Sequence, residues 1–273
     1  MLKLINYIMA TENKEKEKLS EGKTEDCYDT FAKNSYPLWK LIWEGIYLSV
    51  SIVLWAFLIK ETVERHTSPL PTVLGFIISQ FVVDYVSGFV HWAGDTWGTL
   101  KTPIFGTALI GPFRLHHVDP QDICVHSWME TNAASSYPMP FFITACLMFS
   151  SGTFLSQTCN WAILFGVPLG ILTNECHKWA HMVHSKPHKI VRFLQQAGYI
   201  ISPEKHLLHH QGEFDKAYCI VNGWMNPILD YFNHWKAMER LFHKLSGAIP
   251  REDDAYWREV NLKFKEKEKA KAK

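Results

Sequence analysis

Eleven of the chain's 14 histidines fall between His91 and His210 in a sequence of 273 residues. Their spacing matters as much as their number. His177 and His181 (HKWAH) are four apart, so a helix puts both on one face. His206, His209 and His210 (HLLHH) again share a helical face, and His116 and His117 are adjacent. Neutral imidazole binds zinc, copper, iron and nickel. Three imidazoles packed as tightly as HLLHH have few structural uses, and the constellation points to a metal centre. A single tetrahedral ion takes about four ligands, so eight or nine imidazoles argue for two ions. Soluble two-iron proteins rely mainly on carboxylates with Glu-x-x-His motifs, and no such set occurs here. A histidine-rich two-iron site in a membrane protein is the class that remains.

Imidazole ligands are oriented by acceptors that take their second N–H. Asp84, Asp95, Asp119, Glu130 and Asn174 are the candidates, with His126 as a further possible ligand. Asp84, Gly88, His91 and Asp95 fall at i, i+4, i+7 and i+11, a single helical stripe. Asn174, His177, His181 and His184 form another. Asp84 lies within an apolar run at membrane depth, where an acid is costly and usually faces the protein interior and a function.

The elements that must carry these residues are apolar. Residues 41–59 contain one charge (Glu44), residues 70–92 one (Asp84), and residues 137–174 none. A membrane span takes about 20 apolar residues. The first two stretches are one span each and the third is two, with a break expected near Ser156–Asn160. The expected fold is an all-α membrane protein of about four transmembrane helices with a cytosolic histidine-rich cap. Residues 1–35 read as a disordered charged segment, 36–245 as the four-helix transmembrane domain, and 246–273 as a charged tail whose end, after Asn261, reads as a solvated helix or frayed end. The run Leu4–Ala10 is too short for a signal peptide and passes straight into Lys and Glu. Of the 28 Lys and Arg, 26 fall on the side that carries both termini and the 93–136 loop, and 2 on the other. That asymmetry places the termini and every clustered histidine in the cytosol. A transporter should instead string histidines along a path through the membrane. Trp92, Trp97, Trp128, Trp161, Trp179 and Trp224 read as an interfacial belt. A net charge of +1 argues against nucleic acid as a partner, and no CxxC pair suggests a zinc ribbon.

HWAGDTWG (91–98), PFRLHHVDP (112–120), HSWMETN (126–132), NECHKWAH (174–181), HLLHH (206–210) and YCIVNGWMNPILD (218–230) together resemble the Kua-type plasmanylethanolamine desaturases. More distantly they are similar to the plant plastid desaturase acting on phosphatidylglycerol. The matching blocks run in order over residues 85–240. The resemblance implies an endoplasmic-reticulum membrane enzyme that introduces the 1′,2′ double bond into the alkyl ether chain of an ethanolamine phospholipid, giving a plasmalogen. It implies iron, dioxygen as co-substrate, and cytochrome b5 as electron donor. It carries ligand roles onto His91, His116, His117, His177, His181, His206, His209 and His210, and matches Asp95 to the family's acid four residues after the first histidine. His126 matches animal members only. The chain departs from the pattern at Lys205, where some animal relatives have histidine. It departs again at Cys124–Val125, where a Thr-Arg pair is expected; that departure bears on the headgroup.

Desaturation breaks unactivated C–H bonds, which acid–base side chains cannot do, so a redox metal must carry it. Lys186, Lys189 and Arg192 read first as positive-inside residues and second as a dock for an acidic cytochrome. The terminal KAKAK resembles a dilysine retrieval signal. Two other functions share parts of the pattern: a two-iron fatty-acyl desaturase or hydroxylase, and a zinc-dependent membrane hydrolase.

Overall fold

Proline punctuates the chain. Pro37 immediately precedes α1 (Leu38–Glu64), and Pro69 opens α2 (Pro69–Thr96). Pro112, Pro140, Pro203 and Pro227 stand in the first turns of later helices, where the missing N–H costs nothing. A computed structural model of the chain describes residues 36–65, 68–183 and 185–271. The charged segment 1–35 and His184 of the second histidine stripe lie outside the described residues. Within them the chain is helical and contains no strand. The fold is the expected all-α membrane class.

The described residues divide into two compact units, 36–93 with 121–244, and 94–120 with 245–271. In the larger unit, α1, α2 and α6 (Phe154–Ile171) are long and apolar enough to cross a membrane. At 1.5 Å per residue α1 and α2 are each about 40 Å long, against a hydrocarbon thickness of about 30 Å. Only 17% of the most apolar window of α1 is buried. Its outward stripe is Ile42, Ile46, Val50, Val53 and Phe57, a surface suited to lipid. Its inward stripe is Glu44, Ser51, Leu58 and Thr62. Glu44, the one charge of the apolar run, accepts a hydrogen bond from the Tyr137 hydroxyl at 3.1 Å.

The uncharged stretch 137–174 does not break at Ser156–Asn160. It breaks at Phe149–Thr153, between α5 (Met139–Met148) and α6. Thr153 caps α6, accepting from the Ser156 amide. Ser156 Oγ accepts from the Ser151 amide, Gln157 Nε2 donates to the Gly152 carbonyl, and Asn160 Nδ2 donates to Ser150 Oγ, each at 2.9 Å. The polar residues that mark the break in sequence are the helical turn that fastens it. With ten residues, about 15 Å, α5 spans only half a bilayer. It still completes a hairpin with α6. Asn132, ahead of α5, donates to Glu175, behind α6, at 2.7 Å. At the other end the turn is closed on itself by Asn160 and Ser150. The chain therefore runs along this unit four times, three of them in helices long enough to span.

Two local solutions hold these helices together. Pro168 inside α6 has no N–H for the Leu164 carbonyl four residues back, and Trp55 Nε1 of α1 donates to it at 2.8 Å. Gly75 of α2 lies so close to α6 that a Cβ there would come within 2.5 Å of Trp161 Cβ. Trp92, expected at the interface, is instead fully buried beside Trp235 and Phe242.

The smaller unit contains α3 (Gly111–Val118), preceded by a short π-helical turn, and the charged C-terminal α12 (Asp254–Lys271). Leu115 and Val118 of α3 pack on Trp257 and Val260 of α12. The buried Arg114 guanidinium reaches Asp254 at 2.8 Å and Asp253 at 3.4 Å, and its Nε donates to the Gly94 carbonyl.

Candidate metal centre

In the larger unit, α6 ends at Ile171 and a new helix, α7 (Thr173–His181), starts after Leu172. Its histidines are four apart and both buried, with Nε2 atoms 3.1 Å apart. The next histidines stand on α9 (Pro203–Leu207) and the turn that follows. The Ser202 side chain caps α9 by accepting from the Lys205 amide, and Pro203 fills its first position. His206 Nε2 lies 2.9 Å from His181 Nε2 and 3.0 Å from His210 Nε2. The candidate ligand atoms of His177, His181, His206 and His210 all lie within 4.8 Å of one another.

Each neutral ring nitrogen carries either one hydrogen or one lone pair. His181 and His206 each present Nε2 to two other ring nitrogens, so single hydrogens cannot bridge every contact. A cation among the lone pairs can. Nitrogens bound about 2.1 Å from one ion at right angles stand about 3 Å apart, close to the separations found here. Burial, then the neighbouring imidazoles, holds His206 well below the usual imidazole range, which keeps the ring neutral and its lone pair available. The donor set fits a metal ion.

His91 and His209 form a second group in the same unit, with ring centroids 4.3 Å apart and both side chains fully buried. His91 Nδ1 donates to the Tyr218 carbonyl at 3.1 Å, and His209 Nδ1 donates to the Lys216 carbonyl at 2.8 Å. Carbonyls only accept, so each Nδ1 carries the hydrogen and each Nε2 the lone pair. In the smaller unit His117 Nε2 and Asp95 Oδ1 are 3.0 Å apart. His116, half-buried at the end of α3, has its ring 6.1 Å from that of His117.

The remaining candidates are occupied elsewhere. His126 Nε2 bonds Asp122 at 3.0 Å, a contact that holds its pKa above the usual range. Glu130 forms a reciprocal capping box with Ser127 at the start of α4 (Trp128–Asn132). Asn174 donates to the Thr131 carbonyl and to Ser135 Oγ. The amide of Asp119 closes α3 on the Leu115 carbonyl. Asp84 meets no imidazole; its carboxylate accepts from the amides of Val221, Asn222, Gly223 and Met225. The two carbonyls that orient His91 and His209 are backbone atoms and carry no residue-type signal. The cue for them is indirect: a deep acid and a glycine one turn later on the stripe of His91.

Apolar spanning helices with buried, converging imidazoles define a membrane protein whose histidine cluster is able to hold metal ions. Comparison with known families makes the class specific. The lipid desaturase domain matches residues 80–253, more than half the chain. The plasmanylethanolamine desaturase of Myxococcus xanthus is 36% identical over 222 residues, covering 80% of this chain and 69% of that protein. Plasmanylethanolamine desaturase 1 of Mus musculus is 36% identical over 199 residues, 71% of this chain and 72% of the relative. The chloroplastic fatty acid desaturase 4 of Arabidopsis thaliana is 30% identical over 199 residues, 72% of this chain and 58% of the relative. No solved structure matches the chain. The chain belongs to the lipid desaturase family, and it is an oxidoreductase.

Proposed function

We propose that the chain is an iron- and dioxygen-dependent desaturase that forms the 1′,2′ vinyl-ether double bond of plasmalogens from plasmanylethanolamine. The observation that carries this reading is the convergence of the buried His177, His181 and His206 with the half-buried His210 on one point. The substrate rests on the two relatives named for that activity, each matched over more than two thirds of its length. The ligand set comprises these four with His91, His116, His117 and His209, and holds two irons. Asp95 acts at the centre through His117. Asn174, His126 and Asp84 lie outside the ligand set in this reading.

Bound iron would supply the redox capacity for C–H cleavage that acid–base side chains lack. Overall, one hydrogen leaves C1′ and one leaves C2′. With two electrons and two further protons they reduce one dioxygen to two waters. The chain's own contribution is positional. Burial of the imidazoles excludes water. The Nδ1 hydrogen bonds of His91 and His209 fix which nitrogen each ring offers, and the apolar helices admit the lipid chain. The electron donor is cytochrome b5. The membrane is that of the endoplasmic reticulum, with both termini and the histidines on the cytosolic side.

The likeness to chloroplastic fatty acid desaturase 4 favours one other product, a desaturated acyl chain. Cells lacking a vinyl-ether desaturase, fed an alkyl-ether precursor and expressing either the wild-type chain or His181→Ala, separate the two by lipid mass spectrometry before and after acid. Acid-labile vinyl ethers from wild type and none from His181→Ala support the proposal. Well-expressed wild type that yields only new acyl double bonds refutes it.

A further inference from the structure

We propose that Asp84 is a positioning residue that acts on His91 and His209 without touching either, by clamping the 216–225 loop whose carbonyls orient both rings. Asp84, Ser87, Gly88 and His91 lie at i, i+3, i+4 and i+7, one face of α2. The first three grip the loop. Asp84 Oδ1 accepts from the amides of Val221, Asn222 and Gly223 at 3.3, 3.0 and 3.0 Å, and Oδ2 accepts from Met225 at 3.0 Å. Ser87 Oγ accepts from the Ile220 amide at 3.2 Å while donating to the Asp84 carbonyl. A Cβ at Gly88 would stand 2.5 Å from Cys219 Sγ and 3.1 Å from the Cys219 amide, so the loop backbone lies directly on the helix there. Asn226 closes the far side, accepting from the Cys219 amide and donating to the Cys219 carbonyl.

The loop held in this way presents the Tyr218 carbonyl to His91 and the Lys216 carbonyl to His209. Helix, clamp, loop and imidazole form a closed circuit: the helix that carries His91 also carries the acid that fixes the acceptor of His91. The full burial of Asp84 fits this role, since four convergent amides compensate a carboxylate that an apolar helix otherwise could not bear. The clamp sets the tautomer and ring plane of two imidazoles, and outer partners of this kind tune metal affinity by about 10–100-fold.

The inference rests on the metal-centre reading for its consequence, and the test keeps the two apart. The full-length chain in detergent is titrated with cobalt(II), whose visible absorption reports the number and arrangement of nitrogen ligands. Asp84→Asn is compared with Gly75→Ala, a variant on the same helix whose contact is with Trp161 rather than a histidine. Both variants should melt at lower temperature. Only Asp84→Asn should bind cobalt about 10–100-fold more weakly and with an altered spectrum. Equal affinity and identical spectra in the two variants would reduce Asp84 to a structural residue and overturn the proposal. If Asp84→Asn does not fold, imidazole nitrogen NMR of the metal-free wild type decides. His91 and His209 should both carry hydrogen on Nδ1, and hydrogen on Nε2 of either ring overturns the proposal. A wild-type chain that takes up neither cobalt nor iron would sink the metal-centre reading itself, while the tautomers would still settle the positioning.

Discussion

His206 is an inner member of the imidazole chain, its Nε2 within about 3 Å of His181 Nε2 on one side and His210 Nε2 on the other. His206→Ala should therefore cost more than one ligand's share: activity at background and a loss of bound metal, with helical circular dichroism retained. His126 is the contrast. Its protonated ring pairs with Asp122 and the contact raises its pKa. The sign follows from linkage: the contribution is complete below the unfolded value near 6.5 and is lost as pH rises through the higher folded value. Both partners are more than a third exposed, so the pair is worth at most about 1 kcal/mol. The melting-temperature gap between wild type and His126→Ala should narrow from pH 6 to pH 8.5, with metal content equal in both. A metal deficit in His126→Ala would make His126 a ligand. The approach of His177 to His181 was legible from spacing, because a helix puts i and i+4 on one face. HLLHH was expected on one helical face as well, but α9 ends at Leu207 and the turn that follows sends His209 to His91 and His210 to His206. The role of Asp84 was not legible. Its partners are amides more than 130 residues away, and an amide looks the same whatever side chain it bears.

At the scale of elements, the sequence marked α1 and α2 within a few residues, because charges bound their apolar runs. It misplaced the α5–α6 break. An uncharged stretch offers no such marker, and Ser156, Gln157 and Asn160 reach back to the turn from inside the helix. The partnership of α12 with α3 was also hidden. Its apolar contacts, Trp257 and Val260 flanked by Tyr256 and Phe264, are scattered through a lysine-rich segment, and its ion pairs join Arg114 to Asp253 and Asp254 across about 140 residues. Arg114→Ala leaves the largely buried Asp253 uncompensated, so it should destabilise the smaller unit by about 3–5 kcal/mol, the cost of breaking a buried ion pair. Limited proteolysis checks this: residues 245–271 should be cut much faster than in wild type. Unchanged resistance would contradict the pairing.

For the whole molecule, orientation is the main consequence. The hairpin of α5 and α6 leaves and returns at the same end of the larger unit, and four passes are what the proposed orientation, with both termini cytosolic, requires. The proposed orientation puts the α5–α6 turn on the lumenal side. Gly152 has open space around it, so a short protease site inserted there should be tolerated. In sealed microsomes that site should resist protease added outside and be cut once the membrane is opened. Cleavage in intact vesicles would invert the topology.

The central claim is that the histidines hold redox metal for lipid desaturation, and counting metal per chain tests it most directly. Purified full-length wild type should contain about two irons and little zinc, and His206→Ala should lose most of that iron. Zinc without iron in active wild type, or iron unchanged in His206→Ala, would contradict the account.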